Sequence, residues 1–89
     1  MPKLVITHRV ANIEKWLGFK SERAAAIGNL GGTNVVDHVD VDGGDVVAIS
    51  CDMADVDAAL ATVKSPPPEL GEIMEKHGVV PPLTFFVDK

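Results

Sequence analysis

The chain opens on a β-branched apolar run, Leu4 to Thr7, that ends on two polar residues, His8 and Arg9. That pattern predicts a strand. Asn12 is placed to cap a helix, because its side-chain oxygen can accept the orphan amide protons of a first helical turn. Ile13, Trp16, Leu17, Ala24 and Ile27 then recur at helical spacing, and Gly28 with the run GNLGGT stops the repeat. One helix is predicted over residues 12–28. The next stretch, TNVVDHVDVDGGDVVAISCDM, sets two β-rich runs around DGGD, where Gly43 and Gly44 can take the positive φ values of a two-residue hairpin. That register puts Val41 opposite Val46, Asp40 opposite Val47 and His38 opposite Ile49.

Asp55 then caps a helix whose stripe is Val56, Ala59, Leu60 and Val63. The run SPPPEL ends it and starts another helix, since proline is tolerated in a first turn but not in a helix interior. Leu70, Ile73, Met74 and His77 fall at i, i+3, i+4 and i+7, and Gly78 closes the helix. LTFFVDK reads as the last strand, with Pro81 and Pro82 at its start, where an edge strand accepts them.

The order is β-α-β-β-α-β with an extra short helix before the last strand, over a single domain of residues 1–89. This is the split βαβ, ferredoxin-like α+β plan with a four-stranded antiparallel sheet. Right-handed crossovers put the first and last strands side by side, the third next to the first, and the second outermost. Val46 and Ala48 point to one face of the third strand, and Val47, Ile49 and Cys51 to the other. Leu83, Phe85 and Val87 likewise oppose Thr84 and Phe86. Helices cover only one face, and the other is too apolar to meet water. A second copy of the chain is therefore expected against it, as a two-fold homodimer.

Composition narrows the function classes. Hydrophobic residues make up 46% and charged residues 24%, which is a globular balance. A net charge of −5 without any Lys/Arg cluster argues against nucleic acid. The N-terminal apolar run is too short for a signal core or a membrane span, so a cytoplasmic protein with no membrane partner is expected. Cys51 is the lone cysteine and no zinc-type spacing exists, so neither a disulfide within the chain nor a metal is expected. In its apolar run Cys51 reads as a small buried hydrophobe.

The segments THRVANIEKW and SPPPELGEIMEKHGVVPPLTFFV resemble the dimeric α+β barrel superfamily of antibiotic-biosynthesis monooxygenases, polyketide cyclases and haem-degrading monooxygenases. The resemblance covers nearly the whole chain but carries packing patterns only, with no catalytic signature. It implies that two sheets form a barrel and that each subunit holds a ligand cavity between its sheet and its helices.

The expected strand directions gather His8, His38, Asp40 and the start of the last strand at one end, with His77 just before that start. His8 and His77 are the candidate catalytic residues, since an imidazole can donate, accept or act as base near neutral pH. Trp16, Phe19 and Met74 are the candidate ligand-binding residues for a small, largely apolar molecule. The ordinary alternatives are a solvated strand end for His8, a solvated outer strand for His38 and plain core packing for the aromatics. A three-histidine metal site is disfavoured, because strands two apart in a sheet lie roughly 9–10 Å from each other. GNLGG follows a helix and not a strand, so it lacks a phosphate-cradling context, and DVDVDGGD lacks a calcium-loop pattern.

The expected function is a cofactor-free cyclase-like or monooxygenase-like enzyme on an aromatic or polyketide-like molecule, with histidine as acid or base. The alternative is a non-catalytic binding or structural dimer. A weaker one is a haem protein with His77 as axial ligand, for which only Arg9 and scattered lysines offer partners to the propionates. The absence of tyrosine and the single tryptophan depart from monooxygenases that hold phenols with several polar aromatics.

Overall fold

In a computed structural model, which describes residues 2–89, strand β1 spans Lys3–Val10. Its pleat is strict: Leu4, Ile6, His8 and Val10 are buried, while Lys3, Val5, Thr7 and Arg9 take the other face. His8 therefore occupies a core position on an otherwise apolar face. Asn12 caps as its residue type suggests, its Oδ1 accepting from the Lys15 amide at 3.0 Å.

The helix expected over residues 12–28 is broken into α1 (Ile13–Leu17) and α2 (Lys20–Asn29). Gly18 is the weak point, since glycine costs a helix interior about 1 kcal/mol against alanine. The Phe19 amide turns back to the Trp16 carbonyl at 3.1 Å, and the ladder restarts with the Arg23 amide on the Phe19 carbonyl at 2.9 Å. The resulting bend buries Trp16 and Arg23 together and leaves Leu17 37% exposed. At the far end of α2, a Cβ on Gly32 would lie 2.5 Å from Ile27 Cγ2, so only glycine lets the chain turn so tightly into the sheet.

Strands β2 (Gly32–Val39) and β3 (Val46–Met53) form the hairpin, but not in the expected register. Residues 40–45 form a longer loop, held by Asp40, whose carbonyl accepts from the Gly43 amide and whose Oδ1 accepts from the Asp42 amide. The pairs are Val39 with Val47, His38 with Ala48 and Asp37 with Ile49. A one-residue slip exchanges faces. Asp37, and not His38, therefore shares the inner face with Ile49.

Asp55 caps α3 (Val56–Lys64) by accepting from the Ala58 amide at 3.0 Å. Helix α4 (Pro68–Lys76) comes next, and Gly78, at φ 74°, turns the chain out of it. Strand β4 (Val79–Val87) begins ahead of the two prolines and carries them within the edge strand. Strand order is β2-β3-β1-β4, all pairs antiparallel, as the crossover rule requires. This is the ferredoxin-like α+β fold. The helices cover the inner face, whose core includes Leu4, Ile6, Trp16, Val47, Cys51 and Met53. The outer face leaves Val36, Val46, Val80 and Phe86 exposed. Among the described residues no helix is long and apolar enough to cross a membrane.

Candidate functional site

Between the inner face of the sheet and helices α2 and α4 lies a cavity of about 80 Å³. Ile6, Ile49 and Leu83 form its floor, and Leu70, Ile73 and Met74 line it from α4. Among the described residues, four polar or amphipathic side chains line it: His8, Trp16, Arg23 and His77. Each of the four is at least 95% buried: Trp16 is 0% exposed, His77 2%, and His8 and Arg23 5% each.

His8 is held in a single tautomer. Its Nδ1 lies 2.9 Å from the Arg9 carbonyl oxygen, which can only accept, so Nδ1 carries the proton. Nε2 is left with its lone pair. Burial pushes the His8 pKa below the ordinary 6.5, the Arg9 carbonyl opposes that, and the Arg23 guanidinium adds to it. A neutral imidazole with a free Nε2 is a competent proton acceptor. The Trp16 ring meets it edge-on, with centroids 6.1 Å apart.

Arg23 is a site residue that the sequence pattern did not single out. Its guanidinium lies 3.8 Å over the Trp16 ring and donates through Nε and Nη2 to both oxygens of Asp37, at 3.0 and 2.8 Å. Nη2 also donates to the Trp16 carbonyl at 2.9 Å, and Nη1 lies 3.4 Å from His77 Nδ1. The two charged side chains are 6% and 2% exposed, so this is a buried, bidentate pair joining α2 to β2. A signal was present in the sequence. Arg23 lies seven residues after Trp16 and four before Ile27, on their helical face, and a polar Asp37 sits between Val35 and Val39. Both are polar residues at inward positions, and such groups need a partner.

His77 caps α4 and stacks on Phe19, centroids 4.5 Å apart and planes 8° from parallel. Its Nε2 is buried with no hydrogen-bond partner among the described residues and lies 3.7 Å from Glu22 Oε2. Burial lowers its pKa first and Arg23 second, while Glu22 pulls it back up. Trp16 Nε1 is likewise buried without a partner.

The structure thus brings His8, His77, Trp16 and Met74 to one cavity. Phe19 is not on it: the break at Gly18 places its ring against His77, with Lys76 Nζ 5.0 Å from the ring centroid. His38 is on the outer face, sharing a hydrogen bond of 2.9 Å with Ser50 Oγ. The three histidines therefore do not converge. Cys51 is 1% exposed, and burial raises its thiol pKa, as befits a packing residue. The site does not fit haem. A cavity of 80 Å³ has no room for the macrocycle, and His77 meets Arg23 on one nitrogen and Glu22 near the other. Arg9, the cation considered for the propionates, is paired with Asp45 at 2.7 Å.

No protein-family model and no curated protein sequence matches the chain. Solved structures do match its fold. A protein from Bordetella bronchiseptica assigned as an antibiotic biosynthesis monooxygenase superposes with a TM-score of 0.66 at 13% identity, covering 99% of this chain and 94% of that one. Another antibiotic biosynthesis monooxygenase gives 0.66 at 13% identity over 100% and 97% of the two chains. A Deinococcus radiodurans protein of the same assignment gives 0.58 at 12% identity over 100% and 91%. At these identities the likeness is one of fold: the chain has the α+β ferredoxin-like architecture of those proteins.

Proposed function

We propose that the chain works as a homodimer in which each subunit binds a small, largely apolar, aromatic or polyketide-like molecule and transfers a proton through His8. The observation that carries this reading is a tautomer-locked His8, its Nε2 free of any hydrogen bond from the described residues, in the lining of a nearly all-apolar cavity. Trp16 Nε1, on a side chain that lines the same cavity, supports it. An unpaired buried donor costs about 1–3 kcal/mol, and a ligand oxygen, carbonyl or phenolic, would complete it. His8 then takes a proton from an acidic O–H or C–H of the ligand, a step that cyclisation and cofactor-free oxygenation share.

Room for the ligand comes from α4. A cavity of about 150 Å³ is enough for benzene, so one of 80 Å³ takes a larger ring only if a wall yields. Helix α4 is the wall that yields most readily, since none of its residues is fully buried.

The test is a panel of hydroxylated naphthalenes and anthraquinones, followed by the Met74 methyl and Trp16 indole signals, and then by turnover. A ligand that shifts both signals is expected, and His8→Ala is expected to slow its conversion by about 10²–10⁴ while binding persists. Equal conversion by His8→Ala would refute the catalytic assignment. Binding with no conversion by either protein would establish the non-catalytic reading instead.

A further inference from the structure

We propose that Arg23, held by Asp37, is the positioning residue of the site: by donating to His77 Nδ1 it fixes His77 as the Nε2–H tautomer and leaves His8 as the cavity's only imidazole proton acceptor. The inference rests on the reading of the cavity as a proton-transfer site. It accounts for two histidines that line one small cavity and yet are wired in opposite senses.

The chemistry comes from what each partner can do. A guanidinium has donors only, so the nitrogen it meets, His77 Nδ1 at 3.4 Å, must present a lone pair. A backbone carbonyl has acceptors only, so the nitrogen it meets, His8 Nδ1 at 2.9 Å, must carry the proton. The two rings thus end with opposite free groups, an N–H on His77 and a lone pair on His8. Arg23 cannot swing away from this duty easily. Its fork is pinned by Asp37 at 3.0 and 2.8 Å, its Nη2 by the Trp16 carbonyl at 2.9 Å, and its flat face by the Trp16 ring at 3.8 Å. A planar, always-charged fork is suited to such a task, and a lysine is not. The charged groups around His77 are Arg23 and Glu22 from α2 and Lys76 from its own helix, with His8 across the cavity. Arg23 and Lys76 disfavour an imidazolium there, and Glu22 favours one.

Long-range ¹H–¹⁵N correlation of the imidazole rings reads the tautomers directly in the ligand-free protein. The wild type is expected to show His77 protonated on Nε2 and His8 on Nδ1. Arg23→Lys keeps the charge but not the fork, so His77 is expected to become a mixture of tautomers. The charge-free pair Arg23→Met with Asp37→Leu is expected to do the same and to move the His77 titration midpoint upward, with His8 unchanged in tautomer. A wild-type His77 protonated on Nδ1 overturns the proposal, as does an unchanged Nε2–H tautomer in folded Arg23→Lys. If the double variant does not fold, the wild-type and Arg23→Lys spectra decide. Because no ligand is present, these spectra fail or succeed independently of the His8→Ala turnover test.

Discussion

Replacing Arg23 by methionine removes a cation from a place where its partner cannot do without it. The Asp37 side chain is 2% exposed and receives two charged hydrogen bonds from Arg23, at 3.0 and 2.8 Å. The Trp16 carbonyl loses a bond as well but keeps the one from the Phe19 amide at 3.1 Å, so it is not orphaned. Methionine refills most of the volume over the Trp16 ring, though the cation–π attraction, about 0.5–2 kcal/mol, is lost. The dominant cost is the stranded carboxylate. Breaking a buried ion pair from one side costs about 3–5 kcal/mol. At roughly 0.05–0.15 kcal/mol per residue, the whole domain holds only about 4–13 kcal/mol, so the variant is expected to lose about a quarter of its stability at the upper end of that range and all of it at the lower end. Adding Asp37→Leu removes the stranded charge, and stability should return to within about 1–2 kcal/mol of wild type, since apolar replacement of a buried pair is often near neutral. Equilibrium urea unfolding at fixed protein concentration, followed by the fluorescence of the single tryptophan, measures all three proteins. A loss below about 1 kcal/mol in Arg23→Met would refute the reasoning, because that is the range of exposed pairs. So would a double variant no more stable than the single one.

Stability should also fall on acidification below pH 6.5. His8 and His77 both have pKa values pushed below 6.5 in the fold, chiefly by burial, so the unfolded chain takes up their protons first. The stabilisation is complete above the unfolded value and is lost as pH falls through the folded ones. The urea midpoint should therefore drop between about pH 7.5 and pH 5, and His8→Gln should flatten part of that slope. A pH-independent midpoint over that window would contradict the burial of both rings. For assembly, the exposed outer-face residues Val36, Val46, Val80 and Phe86 are expected to pack against a second copy. Light scattering should give twice the 9.4 kDa chain mass for the wild type and a single chain for Phe86→Glu. A wild type that stays monomeric at micromolar concentration would rule out the dimer.

What the sequence determined by itself is what short-range rules govern. Asn12 and Asp55 cap because their oxygens reach amides three residues on. Gly78 ends α4 because the next turn needs a positive φ. Strand order comes from handedness, and the inward sets Val47, Ile49, Cys51 and Leu83, Phe85 come from a period of two. What only the tertiary structure decided depends on partners far apart along the chain. Asp37 faces inward because the loop at residues 40–45 shifts the β2–β3 register by one residue, an outcome that two glycines in the loop do not specify. Arg23 is buried because Asp37, fourteen residues away, is waiting for it, and the His77 pKa is pushed down by burial and by Arg23 because α4 docks its end fifty-four residues beyond Arg23. Phe19 left the cavity for the His77 ring because α1 bends at Gly18. Taken locally, an arginine in a helix is a solvated residue, since charge alone belongs in water. Only the folded chain supplies the carboxylate, the carbonyl and the aromatic face that together replace the water it gives up.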